Sequence, residues 1–334
     1  MTEKDLSTSL LKWYDKHGRT LPWRVKGGAH PDPYVILVSE FMLQQTTVKT
    51  VIPYFHRFMQ RFPTVQELAA APLEEVYLYW QGLGYYTRAK SLHCSAQMIS
   101  RRGSFPDTRD EVMKLKGIGS YTVASFLSLA FNLPETVIDG NVIRIICRLY
   151  HLTEPVDKIM PQIRQKAENL TSRTSPADYA SAIMDLGAVI CTPRKPQCLL
   201  CPWQNFCRSK NCPELEEIPV RTKPEKKEKQ GSVCLIYNSK GEIFIRKRTE
   251  KGLLSGLYEF PWSDNGQIFA SLNPQDSGKT VTHVFTHFKL LLRIYILTAE
   301  TPPLDGQFVR PQDLENYPTS TLMKKVWKKH LTAQ

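Results

Sequence analysis

At 334 residues, with 42% hydrophobic and 23% charged side chains, the chain has a globular balance and the length for two domains with separate cores. No stretch approaches the roughly eighteen apolar residues of a membrane span, and MTEKDLSTSLLKWYDKHGR at the amino terminus lacks an apolar signal core. A cytoplasmic protein is therefore expected, neither secreted nor membrane-spanning, and its net charge of +12 favours a polyanionic partner.

Residues 1 to about 210 read as nearly continuous helix, punctuated by Pro53, Pro63, Pro72, Pro106 and Pro134. Capping boxes at Thr64/Glu67 and Thr108/Glu111 and the Ser175-Pro176 start mark helix beginnings. The first chemically pointed residue is Glu40, a carboxyl group inside the apolar run YVILVSEFML. Buried there, it would hold its proton to a higher pH than usual and could donate it near neutrality.

Further along, LKGIGSYTVASF (115–126) sets Gly117 and Gly119 between two helices. Glycines there permit a tight turn and close approach of a ligand to free helix N–H groups, while Lys114 and Lys116 add charge; that combination suits a phosphate. A dinucleotide fingerprint fails, because no strand precedes the glycines and Thr122 holds the third glycine position. Asp139, in VIDGNV, is placed to cap the following helix. With Glu40 it could also form the acid and charge stabiliser of glycosidic bond cleavage.

Cys191, Cys198, Cys201 and Cys207 follow in the spacing C-x6-C-x2-C-x5-C. Four thiolates this close can converge on an iron–sulfur cluster or a zinc ion, and the spacing leaves both open. Arg194, Lys195, Arg208 and Lys210 make the loop basic, which suits a phosphate backbone. The remaining cysteines, Cys94, Cys147, Cys212 and Cys234, are scattered and read as free thiols of a reducing compartment. Residues 213–230, PELEEIPVRTKPEKKEKQ, read as a charged linker. Beyond them, SVCLIYN and EIFIRKR form a hairpin about Asn238–Gly241, THVFTHFKLLLRIYIL gives two more strands, and TLMKKVWKKH a basic helix. Two domains are expected: 1–212, all-α, with a metal loop at 191–207, and 231–334, smaller and α+β, joined by 213–230.

LKGIGSYTV, VIDGNV and the four-cysteine loop together resemble the iron–sulfur branch of the helix-hairpin-helix DNA glycosylases. Within it, LPWR (21–24), VSEFMLQQT (38–46), VIPYFHRFMQRFPT (51–64) and GLGYYTRAKSLH (82–93) are similar to the MutY family of adenine glycosylases, densely from about 10 to 210 and more thinly over 231–330. The compact linker and the lack of a targeting segment point to a bacterial origin, and the resemblance implies a monomeric base-excision-repair enzyme carrying a [4Fe-4S] cluster on Cys191, Cys198, Cys201 and Cys207. Its partner would be double-stranded DNA containing adenine opposite 8-oxoguanine or guanine. It implies Glu40 as general acid, Asp139 as stabiliser of the sugar cation, and Tyr121 and Asn141 as their hydrogen-bonding supports. Trp23 and Arg24 would line the adenine pocket, and Gln45, Thr46, Leu83 and Tyr85 would wedge around 8-oxoguanine. Lys116, Gly117 and Gly119 would hold phosphate.

The second domain resembles a Nudix fold. After GLYEF (256–260) no glutamate-rich helix follows, so no nucleotide hydrolysis is expected, and Thr286 and His287 in FTH (285–287) would read 8-oxoguanine. Three positions depart from the family. Thr286 stands where serine is usual, Ser181 where glutamate or glutamine faces the adenine edge, and Ile143 where a basic residue follows GNV. A glycosylase/lyase of the endonuclease III type is the nearest rival, but its Schiff-base lysine position is Tyr121 here. A non-catalytic lesion-binding protein is the other rival, which Glu40→Gln would distinguish.

Overall fold

Prolines, glycines and a few capping side chains divide the amino-terminal sequence into separate helices. The computed structural model describes residues 3–25, 31–221, 227–250, 252–265, 268 and 270–332. Their contacts divide the chain into two units: Met1–Ala70 with Ser91–Lys223, and Ala71–Lys90 with Pro224–Gln334. The helices in chain order are α1 (Glu3–His17), α2 (Pro33–Leu43), α3 (Val48–Arg61), α4 (Val65–Ala70), α5 (Leu73–Trp80), α6 (Tyr86–Arg102), α7 (Arg109–Val112), α8 (Ser120–Phe131), α9 (Gly140–Tyr150), α10 (Val156–Leu170) and α11 (Pro176–Asp185).

In the first unit α8 is the central helix. Thr122 to Ala130 are all buried, as expected of a helix that is apolar all round, and α2 and α11 pack against it. It stops at Asn132, which takes the left-handed cap conformation two residues before Pro134. At α2, Asp32 caps Tyr34 N at 2.8 Å with Pro33 in the first turn. The Thr64 box closes onto Glu67 N at 3.2 Å. At Thr108 the side chain makes no cap bond to the helix, and Glu111 forms a bidentate pair with Arg102 at 2.7 and 2.9 Å.

The second unit is a sheet of strands β1 (Lys227–Tyr237), β2 (Ile243–Lys247), β3 (Tyr258–Glu259), β4 (Trp262–Ser263), β5 (Gln275–Val284), β6 (Phe288–Thr298) and β7 (Gln307–Val309), with helix α12 (Thr321–Leu331). The order is β3-β2-β1-β6-β5, with β4 on β1 and β7 on β2. The expected hairpin is present, with Tyr237 opposite Ile243, and β5 and β6 also pair antiparallel. The parallel pairing of β1 with β6 along its whole length, Lys227 to Tyr237 against Phe288 to Thr298, has no local sequence signal. Leu290, Leu292 and Ile294 pack beside Leu322, Met323 and Val326 of α12 in its core.

Two boundaries differ from the sequence reading. α5 and the start of α6 cluster with the second unit, where Tyr86 Oη donates to Thr319 O at 2.9 Å. Much of 213–230 is also ordered: Pro213–Glu216 is a 3-10 turn, Ile218 is buried, and β1 begins at Lys227. Buried Arg148 supplies the reason, because its Nε donates to Ile218 O at 3.0 Å and satisfies backbone that composition alone leaves solvated.

Candidate active site and cluster loop

Glu40 lies on the buried face of α2 and is 5% exposed. Loss of water pushes its carboxyl up to about 7, and the Asp139 charge pushes the same way. The Ser125 and Tyr121 hydroxyls and the Arg24 charge pull it back. Ser125 is fully buried. Tyr121 is pushed well above its ordinary value by burial and by Glu40 and Asp139, so its phenol stays a neutral donor.

Asp139 does cap α9. Its Oδ1 accepts from Asn141 N at 2.8 Å and Val142 N at 2.7 Å, and its Oδ2 from Asn141 Nδ2 at 2.8 Å. Capping and chemistry are compatible, since the helix N–H groups aim the carboxylate and stabilise its charge. Glu40, Tyr121, Asp139, Gln45, Gly117 and Gly119 line one cleft of about 800 Å³, so the two carboxyl groups share a chamber. Of the hairpin glycines only Gly117 needs to be glycine by backbone conformation. Its φ is +73°, and a Cβ would meet Ser91 Cβ at 2.5 Å. Gly119 is extended and faces open space, leaving the start of α8 uncovered for a ligand, and Lys116 is exposed nearby in sequence.

Trp23, Arg24 and Ser181 line a separate cavity of about 200 Å³. Arg24 is not free there. Its Nη1 lies 2.8 and 2.9 Å from the oxygens of Asp185, which is fully buried and also takes Arg19 N and Nε, each at 2.8 Å. The sequence reading missed Asp185, although it sits one helical turn after Ser181. Asp185→Asn is expected to destabilise the protein by roughly 3–5 kcal/mol, because Arg24 would be left as an unpaired charge away from water. Chemical denaturation of variant and wild type measures this.

Asn141 is held from its other side by Arg144, whose Nη2 donates to Asn141 Oδ1 at 2.9 Å and Gly187 O at 2.8 Å and whose Nε donates to Cys191 O at 2.7 Å. Gly187 is bare because a Cβ would meet Asn141 Cβ at 2.5 Å. One turn on, Arg148 donates to Thr192 O at 2.6 Å and Pro193 O at 2.9 Å and lies 3.6 Å from Cys191 Sγ. The helix that carries Asp139 therefore clasps the cysteine loop. Cys191, Cys198, Cys201 and Cys207 line one small cavity. Burial raises the last three thiols, Cys201 to about 12, and each is raised further by neighbouring cysteines. Four soft donors lining one small, half-buried cavity, with Trp203 N donating to Cys201 Sγ at 3.4 Å, fit a cysteine-ligated cluster. Cys94 and Cys212 are half-buried and Cys147 and Cys234 buried, all unbridged. Near Cys212, His151 has the thiol 3.9 Å from Nδ1 and the Glu214 carboxylate 3.6 Å from Nε2, so that a thiol, an imidazole and a carboxylate offer ligand atoms within 4.8 Å of one another.

In the second unit, Tyr85 is 45% exposed with φ +48°. Buried Arg88 props its loop from beneath, 5.3 Å from the Tyr85 ring and 3.2 Å from the carbonyls of Leu83, itself buried, and Gly84. Thr286 Oγ1 donates to Tyr85 Oη at 3.3 Å, and His287 is exposed beside it. In the first unit, Gln45 is exposed with φ +57°, and Thr46 is half-buried. Glu259, near the missing Nudix box, is occupied by Arg246, Arg248 and Trp262.

Relatives bear directly on this arrangement. Residues 38–170 match the helix-hairpin-helix superfamily of base excision DNA repair proteins, 191–207 the iron–sulfur binding domain of endonuclease III, and 232–329 the NUDIX domain. The adenine DNA glycosylase of Mus musculus is 32% identical over 96% of this chain and 77% of its own length. The chain belongs to the adenine DNA glycosylase family. That of Buchnera aphidicola subsp. Acyrthosiphon pisum is 33% identical over 98% of this chain and 92% of its own. A thermostable thymine-DNA glycosylase superposes with TM-score 0.55 at 27% identity, covering 62% of this chain and 96% of its own. This DNA glycosylase carries a [4Fe-4S] cluster in its cysteine loop. No helix among its described residues is long and apolar enough to cross a membrane.

Proposed function

We propose that the chain hydrolyses the N-glycosidic bond of adenine opposite 8-oxoguanine or guanine in double-stranded DNA, leaving an abasic site. The observation that carries this reading is a carboxyl group raised to about 7 facing a helix-anchored carboxylate across one cleft. Adenine must leave the base stack to reach it, at a cost of a few kcal/mol. Glu40 gives its proton to ring nitrogen 7, the C1′–N9 bond breaks with its electrons going to the base, and the Asp139 carboxylate stabilises the sugar cation. Water then adds at C1′ and its proton returns to the depleted carboxylate. Tyr121 holds the acid and Asn141 the carboxylate. With Tyr121 at the lyase-lysine position, hydrolysis ends the reaction and the enzyme is monofunctional.

Trp23, Arg24 and Ser181 line the base pocket, Arg24 as part of the Asp185 pair. Gln45, Thr46, Leu83 and Tyr85 hold the strands apart, and Thr286 with His287 reads 8-oxoguanine. Lys116, Gly117 and Gly119 bind phosphate. Cys191, Cys198, Cys201 and Cys207 ligate the cluster, which cross-links their basic loop against α9. The enzyme works as a monomer in the bacterial cytoplasm.

Single-turnover rates on duplexes with adenine opposite 8-oxoguanine, guanine and thymine test the reading. Release is expected opposite the first two and not opposite thymine; equal release from all three would overturn it. Thr286→Ala should lower the 8-oxoguanine preference about 3- to 10-fold, the value of one net hydrogen bond, with the guanine duplex unaffected.

A further inference from the structure

The cleft has an unusual charge distribution for a chamber that must admit a phosphodiester backbone. Glu40, Asp139 and Asp157 all line it, and among its described lining residues the one cationic side chain is Arg221. Arg221 comes from the segment that composition marks as linker, yet its backbone is fixed. Val220 O accepts from Val156 N at 3.1 Å, and Ile218, 1% exposed, is held by Arg148. The guanidinium stands over the start of α9, with Nη2 3.4 Å from where a Cβ on Gly140 would lie. It is thus presented at a helix N-terminus, next to Asp139 and on the same cleft wall as Ile143. Gly140 leaves that space open; a longer residue would meet the guanidinium.

We propose that Arg221 binds the phosphate beside the extruded nucleotide, its planar fork closing on the group from the cleft wall. The geometry supplies a guanidinium that can bond two oxygens at once, set beside a helix start whose Asn141 and Val142 N–H groups Asp139 already holds. It also answers an electrostatic problem, since an approaching phosphate would otherwise meet three carboxyl groups. Arg221 is exposed, as a solvated rim arginine would be; what sets it apart is the backbone anchor at Val220 and a guanidinium lying against Gly140 in the cleft lining. This inference rests on the proposed reaction, because it needs a nucleotide drawn into the cleft.

The test uses the full cluster-containing protein and a duplex with 8-oxoguanine opposite a tetrahydrofuran abasic analogue, which cannot turn over. The dissociation constant is measured across a salt series for wild type, Arg221→Ala, Arg221→Lys and the pair Ile143→Lys/Arg221→Ala. Arg221→Ala should lower the slope of log K against log salt by about 1, as expected when one phosphate is no longer neutralised. Its single-turnover rate on the adenine:8-oxoguanine duplex should fall roughly 10-fold, while iron content and melting temperature stay as in wild type. Arg221→Lys should keep the slope but only part of the rate, since an ammonium cannot fork. Ile143→Lys, which returns a cation to the same wall, should restore the slope in the Arg221→Ala background. An unchanged slope and rate in Arg221→Ala would overturn the proposal, and so would a reduced slope that Ile143→Lys fails to restore. Should Arg221→Ala lower melting or iron content, Arg221→Lys and the rescue pair decide. Loss of the reaction in Glu40→Gln bears on the underlying reading alone, so the two failures are separable.

Discussion

Replacing Glu40 by glutamine is expected to lower the single-turnover rate of adenine release by roughly 10²–10⁴-fold, the usual contribution of a general acid, with DNA affinity nearly unchanged. The amide keeps the size and buried position of the carboxyl group but has no proton to give. The wild-type rate carries the complementary signature. An acid that must be protonated is available below its pKa and lost above it, so the rate should fall as pH rises through about 7. Stability moves the other way in the variant. The carboxyl is raised from its ordinary 4.5 to about 7 on folding, so the folded state binds the proton more tightly than the unfolded one. The group therefore costs nothing below pH 4.5 and progressively more as pH rises towards 7. Above that the cost levels off at about 3 kcal/mol, and Glu40→Gln, which never ionises, should melt higher than wild type by a margin that grows from about pH 5.5 to about pH 8. A variant both inactive and more stable is the mark of a group placed for chemistry. Equal melting at both pH values would show that the carboxyl is solvated and has no such role.

What could be read beforehand follows from which interactions are local. The cysteine spacing, the LKGIGS turn, Asp139 as a cap and the β1–β2 hairpin all depend on residues a few positions apart, and each stands where it was expected. Long-range charge neutralisation could not be read. The LPWR neighbourhood assigns Arg24 to the base pocket, yet its charge is balanced by Asp185, 161 residues away. The same reason hid Arg144 and Arg148. In NVIRIICRLY they look like the polar side of an amphipathic helix, but both are buried and each donates to carbonyls of the cysteine loop, Arg144 to Cys191 O and Arg148 to Thr192 O and Pro193 O. The donors of Arg148 also explain why part of the linker is ordered. A composition poor in apolar residues predicts a solvated chain only if no buried donor elsewhere needs its backbone. Strand partners were equally silent, since alternation fixes which face is buried but not that β1 runs parallel beside β6.

Removal of one cluster thiolate, as in Cys201→Ala, is expected to abolish stable iron incorporation and to lower both the melting temperature and the reaction rate. The effect on rate follows from the hydrogen bonds and not from any electron chemistry. Arg148 is 1% exposed, and most of its donors go to Thr192 O, Pro193 O and Ile218 O. Without the metal to close it, the loop no longer holds its carbonyls in place, and a buried guanidinium loses the partners that make its burial tolerable. One turn back on the same helix, Arg144 joins Cys191 O to Asn141 Oδ1, and Asn141 Nδ2 holds Asp139 Oδ2. Slack in the loop is therefore passed along α9 to the carboxylate that must meet the sugar cation. A fall of about 100-fold in single-turnover rate at saturating protein is expected, on top of weaker binding from the displaced Arg194, Lys195, Arg208 and Lys210 charges. Iron analysis, thermal melting and the saturating rate measure the three effects separately. If the rate at saturation stays at the wild-type value while iron is lost, α9 does not transmit the disturbance, and the cluster serves DNA affinity alone.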